Sequence, residues 1–198
     1  MFYGKKLLIL TFIFVMIISV QVSADSDNMV YLVDRAVEWN IQQVIHDSQL
    51  SYPAHVAGEE EIQKRVTLVH NYTEKLNDTE YSSWTLFLDV YSIIEHETRW
   101  VNYLYLDEGT SFGIGSMQFS TAKMYVDKPN YILQSDTELQ IKLAVKYYIF
   151  MVNHTNCRHK AIVGYNRGHE VDNPYQYNYF EKVIEIRKEV KKELTKGG

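Results

Sequence analysis

With 198 residues, 46% of them hydrophobic and 23% charged, the chain has material for one ordinary globular domain and is too short for two full ones. A net charge of −5 argues against a nucleic-acid partner and against electrostatic adhesion to anionic lipid or wall polymers, since both need a basic surface. The single cysteine, Cys157, excludes an intrachain disulfide, so the core must hold itself.

In chain order, Lys5 and Lys6 precede an apolar run over 7–20, and Val22-Ser23-Ala24 offers small residues for a cleavage site. This is the pattern of a secretory signal peptide over 1–24, which sends the remaining chain to the periplasm, the cell wall or the extracellular space. The run is shorter than the roughly 20 residues of a membrane span, though the segment also suits an uncleaved N-terminal anchor. Removing it takes away Lys5 and Lys6 and no acid, so the net charge of −5 becomes −7.

Residues 29–50 read as an amphipathic helix carrying Leu32, Ala36, Val37, Ile41 and Val44 at helical spacing, stopped by Ser51-Tyr52-Pro53. A charged helix follows from Gly58 to about Leu76, with Ile62, Val66 and Val69 on one side. These two helices make an N-terminal extension, 25–78, that packs on the remainder or docks to a partner. Asn77-Asp78-Thr79 breaks the chain and opens a helix running roughly from Tyr81 to Tyr105. A glycine- and serine-rich loop occupies 107–120, and a small hairpin over 103–119 is the one β feature expected. A short helix near 121–125 follows, then a long one capped by Asp136 and running to about Val152, one beginning near His159, and a last one over 179–194. The last helix has a mixed-charge, solvated face. No strand alternation of useful length and no internal repeat is present, so the fold class is all-α.

Chemistry points first to Glu97. Leu86, Val90, Ile93, Ile94, Glu97, Val101 and Leu104 fall on one stripe of the third helix at spacings of three and four. A carboxylate inside an apolar stripe is either one member of a buried ion pair or polar network, or an acid kept protonated by burial. The second is what protonation of a glycosidic leaving oxygen requires. Glu95, two positions away, projects about 200° round the helix and cannot share a cleft with it.

Two further segments stand out. In Ser111-Phe112-Gly113-Ile114-Gly115-Ser116-Met117-Gln118, two glycines in three residues suggest a tight backbone path, and no lysine follows at the spacing of a phosphate loop. Gly164-Tyr165-Asn166-Arg167-Gly168 either terminates a helix or presents a hydroxyl and an amide to a sugar. His154, Cys157 and His159 are ligand types, but no matching fourth ligand follows. His96-Glu97 lacks the second histidine of a zinc protease helix, and no Gly-x-Ser-x-Gly elbow is present.

In this order the three segments resemble the lytic transglycosylase domain of the lysozyme-like superfamily, related to goose-type lysozyme. His96-Glu97-Thr98-Arg99-Trp100 is similar to that family's Glu-Ser-x-Phe/Trp, with Thr for Ser. Gly113-Ile114-Gly115-Ser116-Met117-Gln118 followed by Thr121-Ala122 is similar to its Gly-x-x-Gly-Leu-Met-Gln and Thr-Ala, with Ser116 for Leu. Gly164-Tyr165-Asn166-Arg167-Gly168 is similar to Ala-Tyr-Asn-x-Gly, with Gly164 for Ala, and Tyr179-Phe180-Glu181-Lys182-Val183 to its closing Tyr-Val-x-x-Val. The resemblance covers about 81–190, inside an expected catalytic domain over 79–192, and leaves the N-terminal helices unexplained.

The resemblance implies peptidoglycan glycan strands as the substrate and neither metal nor cofactor. Glu97 would be the catalytic residue, Met117 and Gln118 would line the cleft, Tyr165 would hydrogen-bond Glu97, and Asn166 would support the Tyr165 turn. The expected product is a 1,6-anhydro sugar. A hydrolytic muramidase is the alternative, with Asp107 or Glu108 as the nearby acid to activate water. A third reading is a wall-binding protein without activity on the same scaffold. The expected molecule is a monomer with a place in wall remodelling or in secretion, conjugation or phage machinery.

Overall fold

The computed structural model describes residues 28–47 and 57–196. The signal peptide expected over 1–24 and the stop at Ser51-Tyr52-Pro53 lie outside the described residues. Among the described residues, no helix is long and apolar enough to cross a membrane.

The fold is all-α with one two-stranded sheet among the described residues. Residues 28–47 are helical (α1), followed by α2 (Glu59–Leu76) and α3 (Ser83–Thr98). The hairpin of β1 (Ser111–Phe112) and β2 (Met117–Gln118) pairs Ser111 with Gln118 and Phe112 with Met117, antiparallel. Then come α4 (Phe119–Lys123), α5 (Asn130–Ser135), α6 (Thr137–Thr155), α7 (Arg158–Arg167) and α8 (Asn178–Leu194).

Local chemistry sets these boundaries. Ser82 caps α3 by accepting from the Thr85 N–H at 3.2 Å, and Asp136 caps α6 by accepting from the Leu139 N–H at 2.9 Å. Asn156 and Gly168, both left-handed, end α6 and α7. The short α5 has no counterpart in the sequence reading. Six residues are fewer than two turns, too few for an apolar period to show.

The third helix is shorter than its apolar spacing predicts. It stops at Thr98, where Arg99 and Trp100 take left-handed conformations with φ of 48° and 65°. Two such residues cost about 2–4 kcal/mol. Burial of the whole Trp100 ring against Tyr91, 5.0 Å away, returns about 4–6 kcal/mol at roughly 25 cal/mol per Å². The indole Nε1 is buried without a partner, which takes back part of that gain, and Arg65 Nη1 holds the turn by donating to the Trp100 carbonyl at 2.6 Å. Val101 and Leu104 therefore lie off the helix, and Leu104 is exposed.

α3 runs through the centre, with eleven of its sixteen residues buried. Around it, α2, α6 and α8 pack as neighbours. Leu32 and Ala36 of α1 and Ile62, Val66 and Val69 of α2 belong to the same hydrophobic core as Leu86, Ile94, Tyr148 and Val183. Polar pins strengthen this union. The Tyr91 hydroxyl donates to the Leu32 carbonyl at 2.8 Å, and Arg35 forks onto Glu95 at 2.7–3.1 Å. Asp89, fully buried, accepts from Tyr148 at 2.7 Å and Arg187 at 2.5 Å and pairs with Arg158 at 3.0 Å, tying α3 to α6, α7 and α8.

Candidate active site

Glu97 sits in the last turn of α3 and is half-buried at a cleft. Thr98, its neighbour, donates its hydroxyl to the Ile114 carbonyl at 2.6 Å, clamping the end of α3 onto the hairpin. Glu95 points to the opposite side, into the ion pair with Arg35, and is only 3% exposed. The two carboxylates thus divide as their spacing predicts: one structural, one open to the cleft.

The hairpin turn is built by close approach. Gly113 has φ of 75°, and a Cβ there would fall 2.7 Å from the Gln140 side chain. A Cβ on Gly115 would lie 2.6 Å from the Tyr165 hydroxyl and 2.9 Å from Ala144, so α6 and α7 press directly on the turn. Buried Gln140 of α6 completes the seam: its Oε1 accepts from the Ile114 N–H at 3.3 Å, and its Nε2 donates to the carbonyls of Leu133 and Gln134, each at 2.9 Å. Ser116 closes the turn onto Gly113 with φ of 48°, a left-handed conformation without glycine's freedom.

Glu97, Met117, Gln118, Tyr165 and Asn166 all line this one cleft. Asp107, Ser116, Thr121 and Tyr147 line it as well. Met117 and Tyr165 are buried in its wall, whereas Gln118 and Asn166 are exposed. Glu108 is not part of this lining. It is exposed in a short left-handed stretch where Asp107, Glu108 and Gly109 all have positive φ.

The hydrogen bond expected from Tyr165 to Glu97 is not present. A hydroxyl carries one proton, and that of Tyr165 is donated to the Gly115 carbonyl at 2.8 Å. Its role is to fix the turn. The tyrosine facing Glu97 is Tyr179, at the start of α8. Its buried hydroxyl makes no close hydrogen bond, and its contact with the Glu97 carboxyl is a looser one. Asn166 lines the same cleft as Glu97 and favours its ionised form, without a close hydrogen bond to the carboxyl.

Burial pushes the Glu97 carboxyl above its ordinary pKa. The Tyr179 hydroxyl, the Asn166 amide and Ser116 favour the ionised form and pull it back in part, while the negative charge of Asp107 pushes it further up. The helix C-terminus acts in the same direction as Asp107, since its dipole presents negative charge to the last turn. Tyr165 and Tyr179 are raised well above the usual phenol range, by burial first and the Glu97 charge second. The arrangement can therefore hold a proton on Glu97 and hand it to a bound oxygen, with neutral hydroxyl and amide donors ready to steady the anion that remains.

Tyr179, Ser116 and Tyr147 received no role from sequence. Tyr179 opens the last helix beside an apolar stripe, which is also what an ordinary packing tyrosine does. Its one sequence signal is its place at the head of the segment similar to the family's closing Tyr-Val-x-x-Val, which carried no role. The chain matches no family model, no curated protein and no solved structure.

Proposed function

We propose that the chain is a peptidoglycan lytic transglycosylase that cleaves the β-1,4 bond between N-acetylmuramic acid and N-acetylglucosamine. The observation that carries this reading is a carboxyl at an open cleft whose hold on its proton is strengthened by burial, with Asn166 and Ser116 lining the same cleft and Tyr179 beside it. The convergence of Met117, Gln118, Tyr165 and Asn166 on the same cleft supports it.

In this mechanism Glu97 gives its proton to the glycosidic oxygen as the C1–O bond breaks, and the leaving sugar departs as an alcohol. The substrate's own N-acetyl group stabilises the positive C1. The Glu97 carboxylate, steadied by Tyr179 and Asn166, then takes the proton from the muramic C6 hydroxyl. That oxygen closes on C1, giving a 1,6-anhydro ring and a reprotonated Glu97. One residue serves as acid and then base.

A hydrolytic muramidase is the second reading, and Asp107 favours it. It lines the cleft with Glu97, where a second carboxylate could activate water. Mass spectrometry of digested, purified peptidoglycan separates the two. The proposal expects ends one water lighter than hydrolysis gives, and no product from Glu97→Gln. Hydrated reducing ends would sink the transglycosylase reading. Full activity in Glu97→Gln would remove Glu97 as the acid.

A further inference from the structure

Along the outer face of α6, Tyr147, Phe150 and His154 lie at i, i+3 and i+7, so they share one side of the helix. Their rings form a row of nearly parallel planes. Tyr147 and Phe150 are 6.4 Å apart and tilted by 15°, and Phe150 and His154 are 5.8 Å apart and tilted by 12°. Phe150 is 44% exposed, and His154 is exposed. A single exposed aromatic on a surface needs no explanation. Three rings stacked into a row that begins at the cleft are a different matter.

Tyr147 makes that connection. It lines the cleft with Glu97, packs against Tyr165 at 5.4 Å, and meets Tyr125 edge-on at 6.5 Å. The core does not use Phe150, whose neighbours Ile149 and Met151 are buried while its ring stays outside. Seven residues of helix rise about 10 Å, roughly the span of two pyranose rings in an extended strand. Pyranose rings present flat C–H faces that rest on aromatic rings through apolar contact and weak C–H to π attraction. Lys146, whose ammonium lies 4.9 Å from the Tyr125 ring centre, adds a cation at the ring that Tyr147 meets edge-on.

We propose that Tyr147, Phe150 and His154 form an accessory saccharide subsite that carries a polymeric glycan beyond the cleft. The proposal rests on the glycan-cleaving reading above. Its occupant is a strand of several sugars, not a short oligomer, and the row sets a preference for length.

The test uses the full chain carrying Glu97→Gln, so that strands bind without being cut. Binding of long peptide-free glycan strands and of short oligomers that fill only the cleft is measured by calorimetry. Adding Phe150→Ala and His154→Ala should weaken the long strands about tenfold and leave the short oligomers unchanged, while Phe150→Tyr should restore the long-strand affinity. Equal affinities in both backgrounds, or equal losses for long and short glycans, overturn the subsite while leaving the glycan reading intact. If the Glu97→Gln chain binds neither glycan, the glycan reading itself fails. Binding of an apolar peptide that Phe150→Ala abolishes, with glycan affinity unaffected, would assign the row to a protein partner instead.

Discussion

Tyr165 and Tyr179 both close on Glu97 from late in the chain, and the Gly115 carbonyl takes the Tyr165 proton. The raised carboxyl has a consequence for stability. The folded state holds the Glu97 proton to higher pH than the unfolded chain does, so the group's contribution is lost as pH rises from the ordinary carboxylate range through its raised value. Glu97→Gln should therefore raise the melting temperature at neutral pH and leave it nearly unchanged in acid, as thermal melts across pH would show. Asp107 bears on the rate. The first step of the proposed reaction needs Glu97 protonated, and the Asp107 charge pushes the carboxyl pKa that way. In the transglycosylase reading, Asp107→Asn keeps activity and moves the alkaline limb of the pH–rate profile to lower pH. Collapse at every pH would instead fit a water-activating base.

At the scale of elements, the hairpin is the part that places the chemistry. Its two glycines marked it in the sequence. Its anchors did not show: Thr98 stands out only as the Thr beside the acid, with nothing to say what it holds, and Gln140 looks ordinary on α6. Thr98→Val keeps the shape and removes the donor to Ile114, leaving a buried carbonyl unpaired. The expected cost is about 1–3 kcal/mol in denaturant unfolding, together with a fall in kcat. Thr98→Ser should recover both. A Val variant with unchanged stability would show that the clamp is dispensable. The early end of α3 was equally hidden: no glycine or proline marks Arg99 and Trp100, and the turn exists because a distant core has room for the Trp100 ring.

Across the whole molecule, the all-α class followed from helical periods in nearly every segment, but the place of α1 did not. That helix contributes Leu32 and Ala36 to the common core, and its Asp47 accepts from the Tyr103 hydroxyl in the loop that leads to Asp107. Tyr103 also holds the hairpin, since its carbonyl accepts from the Gly113 N–H at 2.7 Å. Tyr103→Phe is expected to cost about 2 kcal/mol and to lower activity, with circular dichroism unchanged. A chain starting after residue 56 should lose its cooperative melting transition, because the core would lose Leu32, Val33 and Ala36, and the Tyr91 hydroxyl its acceptor on Leu32. Retention of a sharp transition would mark α1 as an appendage.

Tyr179 belongs to α8, the last helix of the chain, and α8 also carries Arg187 to Asp89 and Glu189 to Arg35. The residues that line the cleft end at Gly168, and Tyr179 follows only with the last helix, which also packs on α3. A chain that stops short of α8 has the residues of the cleft, hairpin and acid, but not the hydroxyl that would steady the carboxylate in the proposed reaction. On the proposed reading, competence waits for the final helix to dock, and a chain clipped before α8 would lose both activity and the Arg187 partner of buried Asp89.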